Sequence, residues 1–322
     1  MATERQLPTY DELPTFKDFS GCAWEVWGKD DQLGTINLLT DEVMKEAVKE
    51  VKTGKAVCLN WPIQFPNKPA FGRVPPHHEI IFKADRGAVH DDVLHINTQS
   101  GSQWDGLKHF GLLKHGLFYQ GTPASSFQNG HITIPDPTNI DPELIKFGIH
   151  NWAQHGICGR GVLLDMVKFY SDANGGRLPY DPMTTHAVPA ADLIACAQKE
   201  GITFRRGDIL LLRVGFIQRY HGGTQEERDG LSERDKAEHL NNHFAAIASD
   251  QPALERWPVP EGVPHLHQTL LGLWGMPIGE FFDLEALSKQ CAETGRYTFF
   301  FSSWPLNVLG GVASPPNAAA YF

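Results

Sequence analysis

The chain has 322 residues, with 28 Lys and Arg against 38 Asp and Glu, a net charge of −10 and a pI near 5.8. This acidic balance excludes nucleic acid as a partner, because phosphate binding needs a positive patch, and no stretch nears the roughly 18 consecutive apolar residues of a membrane span. Cys22, Cys58, Cys158, Cys196 and Cys291 are scattered without a C-x-x-C pair, and the N-terminus is polar with no apolar signal core, which reads as a cytoplasmic protein with reduced thiols.

Residues 1–20, polar and Pro-containing, are expected to form an N-terminal arm that packs on the body or on a second subunit, ahead of a single domain over 21–322. Trp24 and Trp27, ahead of Asp31-Gln32-Leu33-Gly34, read from the residues alone as a pair that caps the core. Thr40 is placed to N-cap a helix over about 41–53, with Asp41 and Glu42 in its first turn and Gly54 as its stop. Strands are expected over Ala56 to Ile63, His77 to Ala84 and Val93 to Gln99, with a Pro- and Gly-rich loop from Phe65 to Pro76. His77 and His78 are neighbours on a strand, so they face opposite ways and cannot share one ion.

The third of these strands leads into Gln99-Ser100-Gly101-Ser102-Gln103-Trp104-Asp105-Gly106-Leu107-Lys108-His109. If the chain stays extended through Asp105, then Gln99, Gln103 and Asp105 project to one side as three oxygen donors. Gly106 lets the chain turn, and one helical turn would carry His109 back beside Asp105. A carboxylate beside an imidazole is a general acid/base unit, because the anion raises the basicity of the ring and fixes its tautomer. The plain alternative is a Gly-rich turn with a solvated Asp and a surface His.

Farther along, Phe110 to Pro137 is loop-like, and Gly161 to Met166 and Gly207 to Gly215 are apolar runs that read as buried strands. A helix is expected over Pro189 to Glu200, with Pro in its first turn and Gly201 as its stop. From about 223 to 257 the chain is charged and reads as a helical insertion. Within it His239 and His243 lie four apart, a surface pair because no Glu stands between them in the protease arrangement. The last third holds His265-Leu266-His267-Gln268 and Pro277-Ile278-Gly279-Glu280, then an apolar strand over Tyr297 to Ser302. By position alone, Glu280 is a cap at the start of a helix over Phe282 to Ala292.

These segments together resemble the cyclase family that includes bacterial kynurenine formamidase, isatin hydrolase and related lactone hydrolases. Its signature, His-x-Gly-Thr-His-x-Asp-x-Pro-x-His, is matched at Gly101, Asp105 and His109; Ser102 stands for Thr and Leu107 for Pro. Both remaining motif histidines are Gln here, at Gln99 and Gln103. Arg160 to Asp165, Gly207 to Gly215 and Gly310 to Pro316 resemble further family elements in the same order, so the resemblance covers roughly residues 24–316. It implies an α/β fold: a central mixed, largely antiparallel sheet rolled towards a barrel, with helices packed outside, in a homodimer or homotetramer. It also implies a metal cluster of Gln99, Gln103, Asp105 and Glu280 with His267, or with Gln268 one residue along.

Imidazole nitrogen suits zinc, whereas a Gln carbonyl oxygen is a neutral, hard donor that suits Mg, Ca or Mn better. Either the ion is a harder one such as Mn, or zinc is held loosely, or the metal is lost and Asp105 works with His109 alone. The 8 Trp and 19 Phe are a heavy aromatic load, and Trp27, Trp104 and Trp274 are nominated with Arg213 to contact a flat or apolar small-molecule substrate. The expected function is hydrolysis of a lactone, cyclic amide or amide by metal-activated water, with His109 as acid/base and Asp105 and Glu280 beside it. One alternative is a metal-independent cyclase, isomerase or dehydratase of secondary metabolism that uses the Asp105–His109 pair. Another is a binding protein without catalysis.

Overall fold

The computed structural model describes residues 6–134, 136–184, 186–229, 243–255, 259 and 262–322. Its core is a nine-stranded mixed sheet that curls into a half-barrel with helices outside. The strands are β1 (Ala56–Cys58), β4 (Gln103–Asp105), β7 (Ile157–Asp165), β8 (Ile209–Arg213), β9 (Ala246–Ser249), β10 (Ile278–Glu280), β11 (Thr298–Ser303), β12 (Ala313–Ser314) and β13 (Ala318–Tyr321). Their order is β1-β13-β11-β7-β8-β9-β10-β4-β12. The run β7-β8-β9-β10 is parallel and the other pairings are antiparallel. Two hairpins stand apart: β2 (His77–Phe82) with β3 (His90–His95), and β5 (Leu117–Phe118) with β6 (Thr122–Pro123).

Every residue of β7 and β8 is buried. Continuous apolar runs of this kind mark parallel strands covered on both faces. The cover over β7 includes α1 (Asp41–Ala47), N-capped by the Thr40 hydroxyl, and α5 (Ala190–Lys199), which begins just after Pro189. Phe299, Phe301 and Trp104 fill the centre of the half-barrel.

Several expectations need correction. The helix at 41 ends at Ala47 in a 3-10 turn, and β1 stops at Cys58. The third strand ends at His95, so the motif is not its continuation. Among the described residues of 223 to 257, helix is found over α7 (Gln225–Asp229), residues 230–242 lie outside the described residues, and Ala246–Ser249 is an interior strand of the sheet, not helix. Three of its four residues are fully buried, two of them Ala, and so short a strand gives little signal beside the charged stretch before it. His239 lies outside the described residues. His243 Nε2 lies 3.1 Å from the Pro8 carbonyl oxygen and so touches the arm.

Arg213, nominated for substrate, is committed to the scaffold. The parallel register of β7 and β8 puts it beside Asp165, and its Nη1 donates to Asp165 Oδ1 at 2.9 Å. Its Nε and Nη2 donate to both oxygens of Glu285, each at 2.8 Å. Asp165 also N-caps α4 (Met166–Ala173) and accepts from Ser288 Oγ. Arg213→Met strands the fully buried Asp165 and is expected to cost about 3 kcal/mol, read as a lower urea midpoint with catalytic chemistry intact.

Behind β7, burial pushes the Glu200 carboxyl up to about 8, against the pull of the Asp165 amide. Burial raises Asp250 likewise, to about 7. The folded chain therefore keeps protons that the unfolded chain releases near its ordinary carboxylate values. The stability they give is full at low pH and is lost as pH rises through about 7 to 8. In Glu200→Gln, the fall in unfolding free energy between the ordinary value of 4.5 and about 8 is expected to shrink by the share that Glu200 contributes.

Candidate active site

The antiparallel register of β4 and β10 sets Gln103 opposite Glu280 and Asp105 opposite Ile278. Gln103 and Asp105, two apart, share a face, while Trp104 between them turns the other way. Trp104 is wholly buried against Phe282 and Phe301, with its Nε1 donating to Ser303 Oγ at 2.9 Å. It is a core residue, not a substrate contact. Trp27 and Trp274 line a different cavity, under the arm.

Gln99 reaches the same face from a turn in which Ser100 N donates to Asn97 O at 2.9 Å, not from an extended strand. Arg73, from the Pro- and Gly-rich loop, holds that turn by donating to Gln99 O at 2.7 Å. Gly106 passes so close to Val312 that a Cβ would lie 2.5 Å from its carbonyl oxygen. Only Gly permits this approach. The turn that follows, His109 N to Gly106 O at 2.9 Å, swings His109 back over Asp105.

The Gln residues offer nitrogen, not oxygen. Gln99 Nε2 donates to Asp105 Oδ1 at 2.8 Å and lies 2.8 Å from His109 Nδ1. Gln103 Nε2 donates to Glu280 Oε2 at 2.7 Å and to Asp105 Oδ1 at 3.3 Å. The expected trio of oxygen donors is therefore replaced by two amide clamps on the carboxylates. What converges instead is Asp105 with two imidazoles. His109 Nε2 lies 3.8 Å and His267 Nε2 3.6 Å from Asp105 Oδ2, and Glu280 Oε1 stands 3.3 Å from His267 Nε2. His267, not Gln268, faces the cluster, because Gln268 Oε1 accepts from Leu113 N at 2.9 Å. Glu280 ends a strand, so it is no helix cap; Leu254 N donates to its Oε1 at 3.1 Å.

Glu255 was not singled out in the sequence, yet it bonds His267 Nδ1 and accepts from Leu266 N. Holding one ring nitrogen fixes which nitrogen the other partners see. Phe110 walls the site, its ring 5.2 Å from that of His267 and 6.0 Å from that of His109. Only the position of Phe110 next to His109 pointed to it.

Asp105, Glu280 and Glu255 are all nearly inaccessible. Burial favours their neutral forms, but positive charge on His109 and His267 holds Asp105 below the usual range, and His267 does the same for Glu255. Burial and the Asp105 charge push Glu280 up. Burial disfavours charge on His267, yet Asp105, Glu255 and Glu280 outweigh it and hold that ring well above its ordinary value. Burial, together with the His267 charge, lowers His109 more than Asp105 can raise it.

These groups fit a divalent ion. Asp105, His109 and His267 form a candidate ligand group, with donor atoms all within 4.8 Å of one another. The gaps to Asp105 Oδ2 are too long for direct hydrogen bonds, and that buried oxygen has no hydrogen-bond partner. One carboxylate and two imidazoles suit zinc or manganese, and a dication offsets the buried acid excess. For His109 Nε2 to be a ligand, its proton must sit on Nδ1. Gln99 must then turn its carbonyl oxygen toward that Nδ1.

The sequence matches the model of the Cyclase family over residues 57–256. A solved structure described as a novel cyclase is 32% identical, with a TM-score of 0.78, covering 94% of this chain and 99% of its own. Isatin hydrolase A from Labrenzia aggregata, bound to benzyl benzoate, shares 15% identity over 89% of this chain and 98% of its own, with a TM-score of 0.55. An isatin hydrolase bound to the product analogue thioisatinate shares 13% over 84% and 92%, with a TM-score of 0.53. The last two likenesses are of fold. No curated protein matches the chain. Among the described residues, no helix is long and apolar enough to cross a membrane.

Proposed function

Because the chain belongs to the cyclase family, we propose that it is a hydrolase that uses one divalent ion, Mn or Zn, to open a lactone or cyclic amide, or to cleave an amide. The carrying observation is Asp105 Oδ2, buried and unpartnered, facing two imidazole Nε2 atoms. Asp105, His109 and His267 would hold the ion, which when bound there polarises the substrate carbonyl and lowers the pKa of water. Glu255 orients His267. Gln103 ties Asp105 to Glu280 and keeps both carboxylates on one side of the site. Glu280, whose proton affinity is raised by burial and by Asp105, takes and returns the proton. Phe110 offers a flat apolar face to the substrate, and its rim is the route in, since the His109 side chain is 19% exposed while Asp105 is sealed.

One observation favours a second reading, a cyclase or isomerase without metal. With the Gln99 amide nitrogen on His109 Nδ1, the neutral ring carries its proton on Nε2 and is itself the acid. Proton transfer alone supplies about 10²–10⁴-fold, enough for an activated substrate but not for amide hydrolysis by water. The test is a panel of lactones, lactams and N-formyl aromatics, assayed after chelation and again after adding back Mn or Zn. Hydrolysis that falls on chelation and returns with the ion is the expected result. Turnover indifferent to chelation would favour the second reading.

A further inference from the structure

Beneath the N-terminal arm lies a cavity of about 310 Å3 that shares no lining residue with the Asp105, His109 and His267 cluster. Its walls include Leu7 and Tyr10 of the arm and Trp27, Phe244 and Trp274 of the body, with Asp11 as its acidic residue. The Tyr10 and Trp274 rings meet edge to face, with centroids 5.9 Å apart. Trp274 Nε1 donates to the Gly21 carbonyl at 2.8 Å, so the indole turns ring surface rather than its donor to the cavity. Contacts that seat the arm over the cavity include His243 on the Pro8 carbonyl and Tyr10 over Gly21, where a Cβ would lie 2.3 Å from the Tyr ring.

A concave, mostly apolar space of a few hundred Å3 with few polar groups has the character of a small-molecule site. It is too small to admit a helix, whose diameter is about 10–12 Å. Aromatic walls favour an aromatic guest by edge and face contact, and they also attract a cation. Asp11, in a chain of net charge −10, repels an anion. We propose that this cavity is a second ligand site, for a planar aromatic amine of one or two rings whose ammonium lies toward Asp11 and whose ring packs among Tyr10, Trp27 and Trp274.

Tryptamine and indole-3-acetate carry the same ring with opposite charge, and calorimetric titration of each into the full chain tests the proposal. One tryptamine is expected per chain, about tenfold or more tighter than indole-3-acetate. Leu7→Trp fills the cavity from the arm and Val26→Trp from the body, and each is expected to weaken tryptamine by about tenfold or more at an unchanged circular dichroism spectrum. Asp11→Asn, a change at an exposed position, should narrow the preference between the two indoles, while Asp105→Asn should keep tryptamine binding. No heat with tryptamine at millimolar concentration, equal binding of both indoles, or loss in Asp105→Asn with retention in the filled variants would each overturn it.

Discussion

Replacing His267 by Ala is expected to destabilise the protein by about 3–5 kcal/mol and to abolish turnover. The ring is nearly sealed, with Glu255 on one nitrogen and Asp105 and Glu280 facing the other. The ring answers three buried carboxylates, as a cation when protonated and as a neutral ligand when an ion is bound, and Ala can do neither. Removing one partner of a buried ionic group leaves the others without compensation, which costs far more than a surface pair at about 0–1 kcal/mol. The same change removes a ligand, so metal retention should fall with stability. Urea unfolding of the variant, with metal content measured on the same sample, reads both. A midpoint within error of the parent would mean that the three acids do not depend on this ring.

A second large effect is expected from restoring the imidazoles that the family signature places at Gln99 and Gln103. The double variant Gln99→His with Gln103→His should bind two zinc ions per chain against the one proposed for the parent. Gln103 is wholly buried beside Asp105, and its Oε1 is a buried acceptor without a hydrogen-bond partner, so the position already has unmet bonding capacity. Asp105 Oδ1, released from the amide clamps, would be available as a further oxygen ligand. Imidazole is the stronger donor for zinc, so the histidine pair should add a zinc-binding half to the cluster. Loss of the Gln103 contact to Glu280 carries a stability cost, so stoichiometry is measured on folded protein. A ratio that stays at one would show that backbone placement, not side-chain chemistry, limits the site.

The sheet and the grouping of Gln103, Asp105, His109, His267 and Glu280 were legible because the period-2 spacing of Gln103 and Asp105, the turn at Gly106 and the ordered family segments all pointed one way, whereas Gln99 joins them from a turn and not from the extended strand expected. The roles of the two Gln residues were not, since an amide reads equally as acceptor or donor until its neighbours are placed. Trp104 was misread for a related reason: a strand residue flanked by site residues faces the opposite side, which here is the core. Glu255 was hidden in a segment whose charge suggested helix, and its partner His267 lies 12 residues along the chain. Arg213 carries no local sign of its partners, because Asp165 and Glu285 reach it only through the β7–β8 register and the start of α8 (Glu285–Thr294).

Metal analysis of protein purified without chelator bears most directly on the single-ion site. About one equivalent of Mn or Zn per folded chain is expected, falling to background in Asp105→Asn, since a carboxylate ligand is lost while the fold keeps its shape. Protein that hydrolyses a lactone or amide at full rate with no stoichiometric metal would contradict it.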